Sequence, residues 1–374
     1  MKYFYATFFC LCITQYAMTQ QVINSSLTHN GITRNYILFI PGSYDPATPA
    51  PLVFSFHGYS SNAALNMNYT GFTAISDTAG FILVHPDGTL DATGTPHWNV
   101  GGWTVGSTTD DIGFTDQMIT EISNDYNINS DRIYSTGMSN GGYMSFLLAC
   151  QLSDKIAAIA SVTGSMTPQT YSACNPSHPT PVLQIHGTMD GTVPYEGDPT
   201  WTYSIEDVMS YWVDYNNCNT TPTLNSIPDI NTNDGSTVDH FIYDGGSNGV
   251  TAEHFKVYGG DHDWPGVWGN MDINASLEVW KFFSQYDMNG ALADVNELAV
   301  HDEITVSPNP SSNLISVNLN TTEDMVYEIS SLTGKLIKSG VLISSNQYID
   351  ISQLAQNTYF LKIDNKVLKF VVKK

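Results

Sequence analysis

Cations are scarce in this chain. Of 374 residues only 13 are Lys or Arg, against 36 Asp or Glu, for a formal net charge of −23. A phosphate backbone is repelled by such a surface, which argues against nucleic acid as a partner. Charged residues make up only 13%, while 42% are hydrophobic and 12% aromatic, so a packed core is available and global disorder is excluded. Cysteine is rare, five in all, and no CxxC or Cys/His spacing suggests zinc. Long hydrophobic runs are missing as well. The N-terminal run, residues 3–13, is too short to span a bilayer, and no later segment is longer, so no transmembrane segment is expected.

That N-terminal run follows Lys2 and is followed by Ala17-Met18-Thr19, with small residues at the two positions a signal peptidase inspects. Residues 1–19 therefore read as a secretory signal peptide that takes Cys10 and Cys12 with it. Export permits disulfides among Cys150, Cys174 and Cys218, and the odd count leaves one thiol over. Charge divides the rest of the chain. Residues 20–287 hold 27 acidic and 5 basic side chains, whereas the stretch from Met288 onward holds 9 and 7.

The patterning divides at the same place. Residues 51–57, 80–85, 132–135, 156–162, 181–186 and 254–258 are short apolar runs, each ending at a Gly or turn residue. Segments of helical character lie among them, at 111–124, 142–152, 204–215 and 274–286. Strands alternating with helices predict a mostly parallel α/β sheet over 20–287, with residues 31–44 as an edge strand or hairpin. Residues 288–302 read as a polar linker. From 303 to 374 the runs at 315–319, 325–330, 336–337, 359–363 and 367–372 predict a small all-β module.

Gly137-Met138-Ser139-Asn140-Gly141 fits the G-x-S-x-G nucleophile elbow, in which a strained turn between strand and helix raises a serine above the sheet. Gly245-Gly246-Ser247-Asn248-Gly249 fits it too, but lies between two strand-like runs and reads as a turn. Serine needs a base and a group to orient that base. Downstream, Asp190 follows the run 181–186 and His262 follows 254–258, both on loops at strand ends, where an open α/β sheet keeps its site. The order Ser, Asp, His is the one α/β-hydrolases use. Oxyanion donors are expected from the backbone N–H of Asn140 and, on the earlier His57-Gly58-Tyr59-Ser60 loop, that of Tyr59.

With these blocks, residues 31–286 resemble the secreted α/β-hydrolase esterases that include feruloyl esterases and poly(3-hydroxybutyrate) depolymerase-like enzymes. The resemblance implies an α/β-hydrolase fold with Ser139 as nucleophile, Asp190 as acid and His262 as base. It also implies Trp264 beside the acyl pocket, a Cys150–Cys174 bridge, and no metal or organic cofactor. Cys218 lacks the partner that many members have. The tail resembles the type A sorting domain of the type IX secretion system. It does so through Val306-Ser307-Pro308-Asn309-Pro310, Leu332-Thr333-Gly334-Lys335, Ile349-Asp350-Ile351 and Tyr359-Phe360-Leu361, with basic Lys373-Lys374 at the end. Asn357-Thr358 stands where the family usually has Gly, and Asn tolerates positive φ. This implies passage through the type IX machinery to the cell surface or medium.

Other readings compete at several positions. Asp110-Asp111 fits a solvated acidic loop better than a metal site, and the Gly113-Phe114 that follows, which members of the resembled family also carry, favours a structural role. His57 is expected to bond within its own loop. His186 and His254 are expected on the sheet rather than in the site, and Asp261 and Asp263 are weaker choices than Asp190 as the acid. Trp98, Trp103, Trp264 and Trp268 are candidates for an aromatic cleft. The function expected is a secreted serine carboxylic-ester hydrolase acting on feruloyl or acetyl esters of plant polysaccharide. A polyhydroxyalkanoate depolymerase and a non-catalytic surface adhesin are the alternatives.

Overall fold

The computed structural model describes residues 19–292 and, beyond them, 305–307, 311, 313–318, 325–331, 335–342, 347–363 and 366–373. The expected signal peptide, most of the linker, and parts of the tail motifs such as Pro308-Asn309-Pro310 and Leu332-Thr333-Gly334 lie outside them. The chain divides into two compact units, 1–292 and 293–374.

In the first unit, strands β1 (Gln21–His29), β2 (Ile32–Ile40), β3 (Ala50–Phe56), β4 (Ile82–Pro86), β5 (Ile128–Met138), β6 (Ala158–Val162) and β7 (Val182–Gly187) are joined by β8 (Thr223–Ser226), β9 (Thr237–Tyr243) and β10 (Ala252–Tyr258). They form one sheet in the order β1-β2-β4-β3-β5-β6-β7-β10-β9-β8. The six inner strands, β4-β3-β5-β6-β7-β10, are all parallel, and an antiparallel pair borders them on each side. The outer hairpin β1–β2 turns at Asn30-Gly31, both with positive φ. Asn-Gly is the residue pair that such tight hairpin turns require. That dipeptide was the available signal for β1, which sequence patterning alone leaves out.

Strand residues alternate between two cores, as a buried parallel sheet demands. Leu52, Phe54 and Phe56 of β3 enter one cluster and Val53 the other. The first cluster packs against α3 (Asp111–Asp125), α4 (Asn140–Gln151) and α6 (Ile205–Tyr215), the second against α2 (Phe72–Ala79) and α7 (Ala275–Phe283). Helix starts are written in the sequence. Ser204 caps α6 by accepting from the Asp207 N–H at 3.0 Å, and Asn274 caps α7 through Leu277. Two further helices, α1 (Ala63–Thr70) and α5 (Pro168–Ala173), are too short to announce themselves by periodicity. Cys150 at the end of α4 is bonded to Cys174, just after α5. The unit closes on a hairpin of Tyr286–Asp287 with Gly290–Ala291.

The second unit has a three-stranded sheet of β11 (Thr305–Ser307), β12 (Leu314–Asn318) and β15 (Gln347–Asp350). A four-stranded sheet joins β14 (Leu336–Leu342), β13 (Met325–Ser331), β16 (Asn357–Ile363) and β17 (Lys366–Val372). Ile315, Val317, Ile329, Leu361, Ile363 and Phe370 are among its buried core residues. Asn357 needs no special turn: it opens β16 opposite Val372, with no positive φ.

The acidic pair has the structural role preferred for it, though only Asp110 is solvated. Asp110 caps α3, accepting from the Gly113 N–H at 2.8 Å, but Asp111 is not solvated. It is buried and paired with Arg34 at 2.7 Å, while its second oxygen accepts from the Asn99 N–H at 2.7 Å. Asp111→Ala leaves Arg34 as an uncompensated buried charge, so we expect a loss of about 3–5 kcal/mol in urea unfolding of the full chain. An exposed control, Asp229→Ala, is expected to change it by less than about 0.5 kcal/mol.

Candidate active site

Loops at the carboxyl ends of the parallel strands converge on one edge of the sheet. Ser139 sits between β5 and α4 with φ 54° and ψ −119°, a conformation a non-glycine residue adopts only under constraint. The constraint is visible. The Ser139 N–H donates to the Val162 carbonyl at 2.8 Å, and the Tyr143 N–H returns to the Ser139 carbonyl at 3.0 Å. Glycines allow the crowding: a Cβ on Gly137 would lie 2.6 Å from the Phe56 carbonyl oxygen, and one on Gly141 would overlap that same carbonyl. Ser247, by contrast, begins a single 3-10 turn at Ser247–Gly249 and sits on no strand-to-helix elbow.

Beside the elbow, Asn140 is fully buried and clamps the backbone of Trp98 from both sides. Its Oδ1 accepts from the Trp98 N–H at 2.7 Å and its Nδ2 donates to the Trp98 carbonyl at 3.1 Å. The Trp98 indole donates to the His57 carbonyl at 2.9 Å. His57 accepts from the Gly88 N–H at Nε2 and donates from Nδ1 to Gly58, so it bonds within its own surroundings as expected, and burial lowers its pKa. This fixes the His57-Gly58-Tyr59 loop against the elbow, where a Cβ on Gly58 would be 3.5 Å from that of Ser139. Among the described residues, the backbone N–H groups of Tyr59 and Asn140 have no acceptor. The Tyr59 side chain points elsewhere, its hydroxyl donating to Asp91 at 2.6 Å.

Asp190 and His262 come together. The His262 Nδ1–H donates to Asp190 Oδ2 at 2.8 Å, and Oδ1 of Asp190 accepts from the N–H groups of Thr192 and Val193, each at 2.8 Å. The Asp190 side chain is completely buried. Burial alone would raise its pKa, but bonds from His186 and His262 outweigh it and hold the carboxyl well below the usual carboxylate range. Among the described residues, His262 Nε2 and the Ser139 hydroxyl have no hydrogen-bond partner.

Asp261, weighed as a substitute acid, has a different task. Its Oδ1 accepts from the Gly191 N–H at 3.0 Å and the His262 N–H at 2.8 Å, tying the Asp190 loop to the His262 loop. Asp263 accepts from the Asp261 N–H at 3.1 Å. His254 lies buried on β10, hydrogen-bonded to the Tyr195 hydroxyl and the Gln184 carbonyl, its pKa pulled down to about 3 by burial.

Trp264 requires a correction. It is fully buried, wedged among Tyr69 and Phe72 with its indole donating to Ser276 at 3.1 Å, and has no surface to offer a substrate. Trp-Pro-Gly two residues after His262 reads as a site motif in sequence, but its side chain packs inward into the core. Trp98 is also buried. Trp103 and Trp268 keep exposed faces, Trp103 against Tyr143 and Trp201, Trp268 against Tyr69. Sequence reasoning missed Trp201. No group of three or more His, Cys, Asp or Glu that could hold a metal occurs among the described residues.

A family profile described as phospholipase/carboxylesterase matches residues 45–210. The chain carries an α/β-hydrolase domain. Residues 305–374 match a second profile, the secretion system C-terminal sorting domain, a mark of export. The hydrolase domain is similar to a bifunctional acetylxylan esterase/xylanase of Neocallimastix patriciarum, 26% identical over 73% of this chain and 36% of that protein. It is similar to feruloyl esterase B of Piromyces equi, 29% identical over 61% of this chain and 42% of that one. Feruloyl esterase D of Neurospora crassa is 26% identical over 69% of this chain and 84% of its own. The chain thus spans well under half of the first two relatives. Among solved structures, an acetyl xylan esterase from Aspergillus awamori superposes with a TM-score of 0.52 at 13% identity, over 71% of this chain and 99% of that one. That likeness establishes the fold. No described helix is long and apolar enough to cross a membrane.

Two outcomes follow from the geometry. Replacing Asn140 by Leu leaves the buried Trp98 N–H and carbonyl unpaired, and we expect a loss of about 2–4 kcal/mol in denaturant unfolding. Because the Asp190 pKa is depressed on folding, its contribution to stability is present above about pH 4 and disappears as pH falls through the folded value. An Asp190→Asn variant is therefore expected to lose less stability than the wild type between pH 5 and pH 2 in a urea series.

Proposed function

We propose that this protein is an exported serine carboxylic-ester hydrolase in which Ser139 attacks the ester carbonyl. His262 takes the hydroxyl proton at Nε2 and later returns it to the leaving alcohol. Asp190, bonded to Nδ1, keeps the ring in the tautomer that leaves Nε2 free to accept. The backbone N–H groups of Asn140 and Tyr59 receive the oxyanion; donors of this kind are worth about 3–4 kcal/mol each in related chemistry. An acyl-enzyme forms and water, activated by His262, releases the acid. No step requires a metal or organic cofactor.

The observation that carries this reading is the 2.8 Å bond from His262 to a buried carboxylate, on loops at the same sheet edge as a serine held at φ 54°. The names of the relatives support feruloyl or acetyl esters of plant polysaccharide as the substrate class. The sorting domain supports delivery to the cell surface or medium by type IX secretion, after an N-terminal signal peptide at residues 1–19.

The test is hydrolysis by the full chain of methyl ferulate, acetylated xylan, short p-nitrophenyl esters and emulsified poly(3-hydroxybutyrate). Release of ferulate or acetate, lowered more than about a thousandfold in Ser139→Ala with the fold retained, is the expected result. Clearing of the polyester alone would reassign the substrate. Wild-type rates in Ser139→Ala would remove the nucleophile, and silence on every ester would remove the enzyme.

A further inference from the structure

The catalytic carboxylate proposed above touches two imidazoles, and only one of them has a part in the chemistry. His186, the last-but-one residue of β7, is completely buried, and its Nε2 lies 3.3 Å from Asp190 Oδ2, the same oxygen that His262 bonds. The tautomer of His186 follows from its surroundings. The Gly164 carbonyl can only accept, so the amide of Gln184 must present its NH2 there, at 2.9 Å. The second hydrogen of that NH2 meets His186 Nδ1 at 3.0 Å, which makes Nδ1 an acceptor. In a neutral ring the proton then sits on Nε2, which donates to the Val193 carbonyl at 2.9 Å and lies 3.3 Å from Asp190 Oδ2. Val193 is itself held by Asp190, whose Oδ1 accepts its N–H.

From this geometry we infer that His186 is a positioning residue: the Gln184 amide sets its tautomer so that its Nε2–H fixes the Asp190 carboxylate for His262. The inference rests on the hydrolase reading and adds a second imidazole beside Oδ2 of its acid. Gln184 contributes at a disadvantage to itself, since its Oε1 is buried with no hydrogen-bond partner. Leaving a buried acceptor so carries a desolvation cost, which the two bonds of the NH2 offset. A role for His186 as base is excluded by the same contacts, because it is fully buried and its unprotonated nitrogen faces Gln184.

The experiment compares His186→Leu with His186→Gln in the full chain, on whichever panel ester the wild type cleaves fastest. Glutamine places an N–H donor near the imidazole Nε2; leucine fills the space without one. The leucine variant is expected to lose at least tenfold in kcat with KM changed less than twofold, and the glutamine variant to recover most of that loss. Removing a donor leaves more negative charge on Asp190, so the acid limb of the kcat/KM profile should move to higher pH in the leucine variant only. The other ionisable groups about this pair, Asp261 and Asp263 beside His262 and Tyr195 and His254 beside His186, are unchanged in both. Equal loss in the two variants with unmoved limbs would reduce His186 to packing and overturn the inference, as would full activity in the leucine variant. Nitrogen-15 NMR of histidine-labelled wild type provides a check that needs no variant to fold: the Nε2–H tautomer is expected for His186, and an Nδ1–H tautomer would overturn it. If wild type cleaves no ester while Ser139→Ala is equally silent, the hydrolase reading fails and takes this one with it.

Discussion

The buried pair of Arg34 and Asp111 is the contact on which the arrangement of the site hangs. Among residues 20–287, with 27 acidic and 5 basic side chains, one of the few cations is placed out of water, its guanidinium 4.0 Å from the centre of the Phe114 ring. Asp111 gives one oxygen to Arg34 and the other to the backbone of Asn99. That fixes the strand-like segment carrying Trp98, whose backbone is gripped by Asn140 and whose indole holds His57. From an outer strand to the Ser139 turn, each link is a hydrogen bond between buried or half-buried groups. Such bonds gain little individually, but each is expensive to leave half made, so the set stands or falls together.

Backbone strain is distributed by the same logic. Six non-glycine residues of the described chain have positive φ, and three of them are asparagines in turns, where this is cheap. The other three are Ser60, Ser139 and Thr163, which follow β3, β5 and β6. Each such residue stores on the order of 1–3 kcal/mol. Their position at the carboxyl ends of adjacent strands means that the energy is concentrated along one edge of the sheet. It is the edge at which Asp190 and His262 also meet.

Much of this was legible in the sequence, for identifiable reasons. Runs such as Leu52-Val53-Phe54-Ser55-Phe56 are apolar on both faces because both faces are buried, and their order with the helices dictates a parallel sheet. Ser139, Asp190 and His262, the residues proposed as nucleophile, acid and base, were each readable from a loop placed after a strand. Side-chain direction was not readable. Trp264 lies two residues from His262 yet points into the core, and Asp111 adjoins an exposed aspartate yet is sealed against an arginine 77 positions away. Nor could patterning tell that Asp261 would bind two loops together, since that depends on where Gly191 comes to rest. Short helices such as α1 and α5 were lost because one or two turns carry no period.

Cys218 bears on how the chain acquires its covalent structure. With three cysteines in the described chain, a single disulfide can be drawn in three ways, and an oxidising compartment does not choose among them. In the folded unit the choice is settled by access: Cys150 and Cys174 are joined, while the Cys218 thiol is buried, donating to the Val250 carbonyl at 3.8 Å, with burial raising its pKa. A thiol held in that state cannot attack a neighbouring disulfide, because exchange requires an exposed thiolate. Folding therefore acts as the proofreader of oxidation here. A chain that pairs Cys218 with either of the others forfeits its core position, and one that joins Cys150 to Cys174 withdraws the means of undoing it.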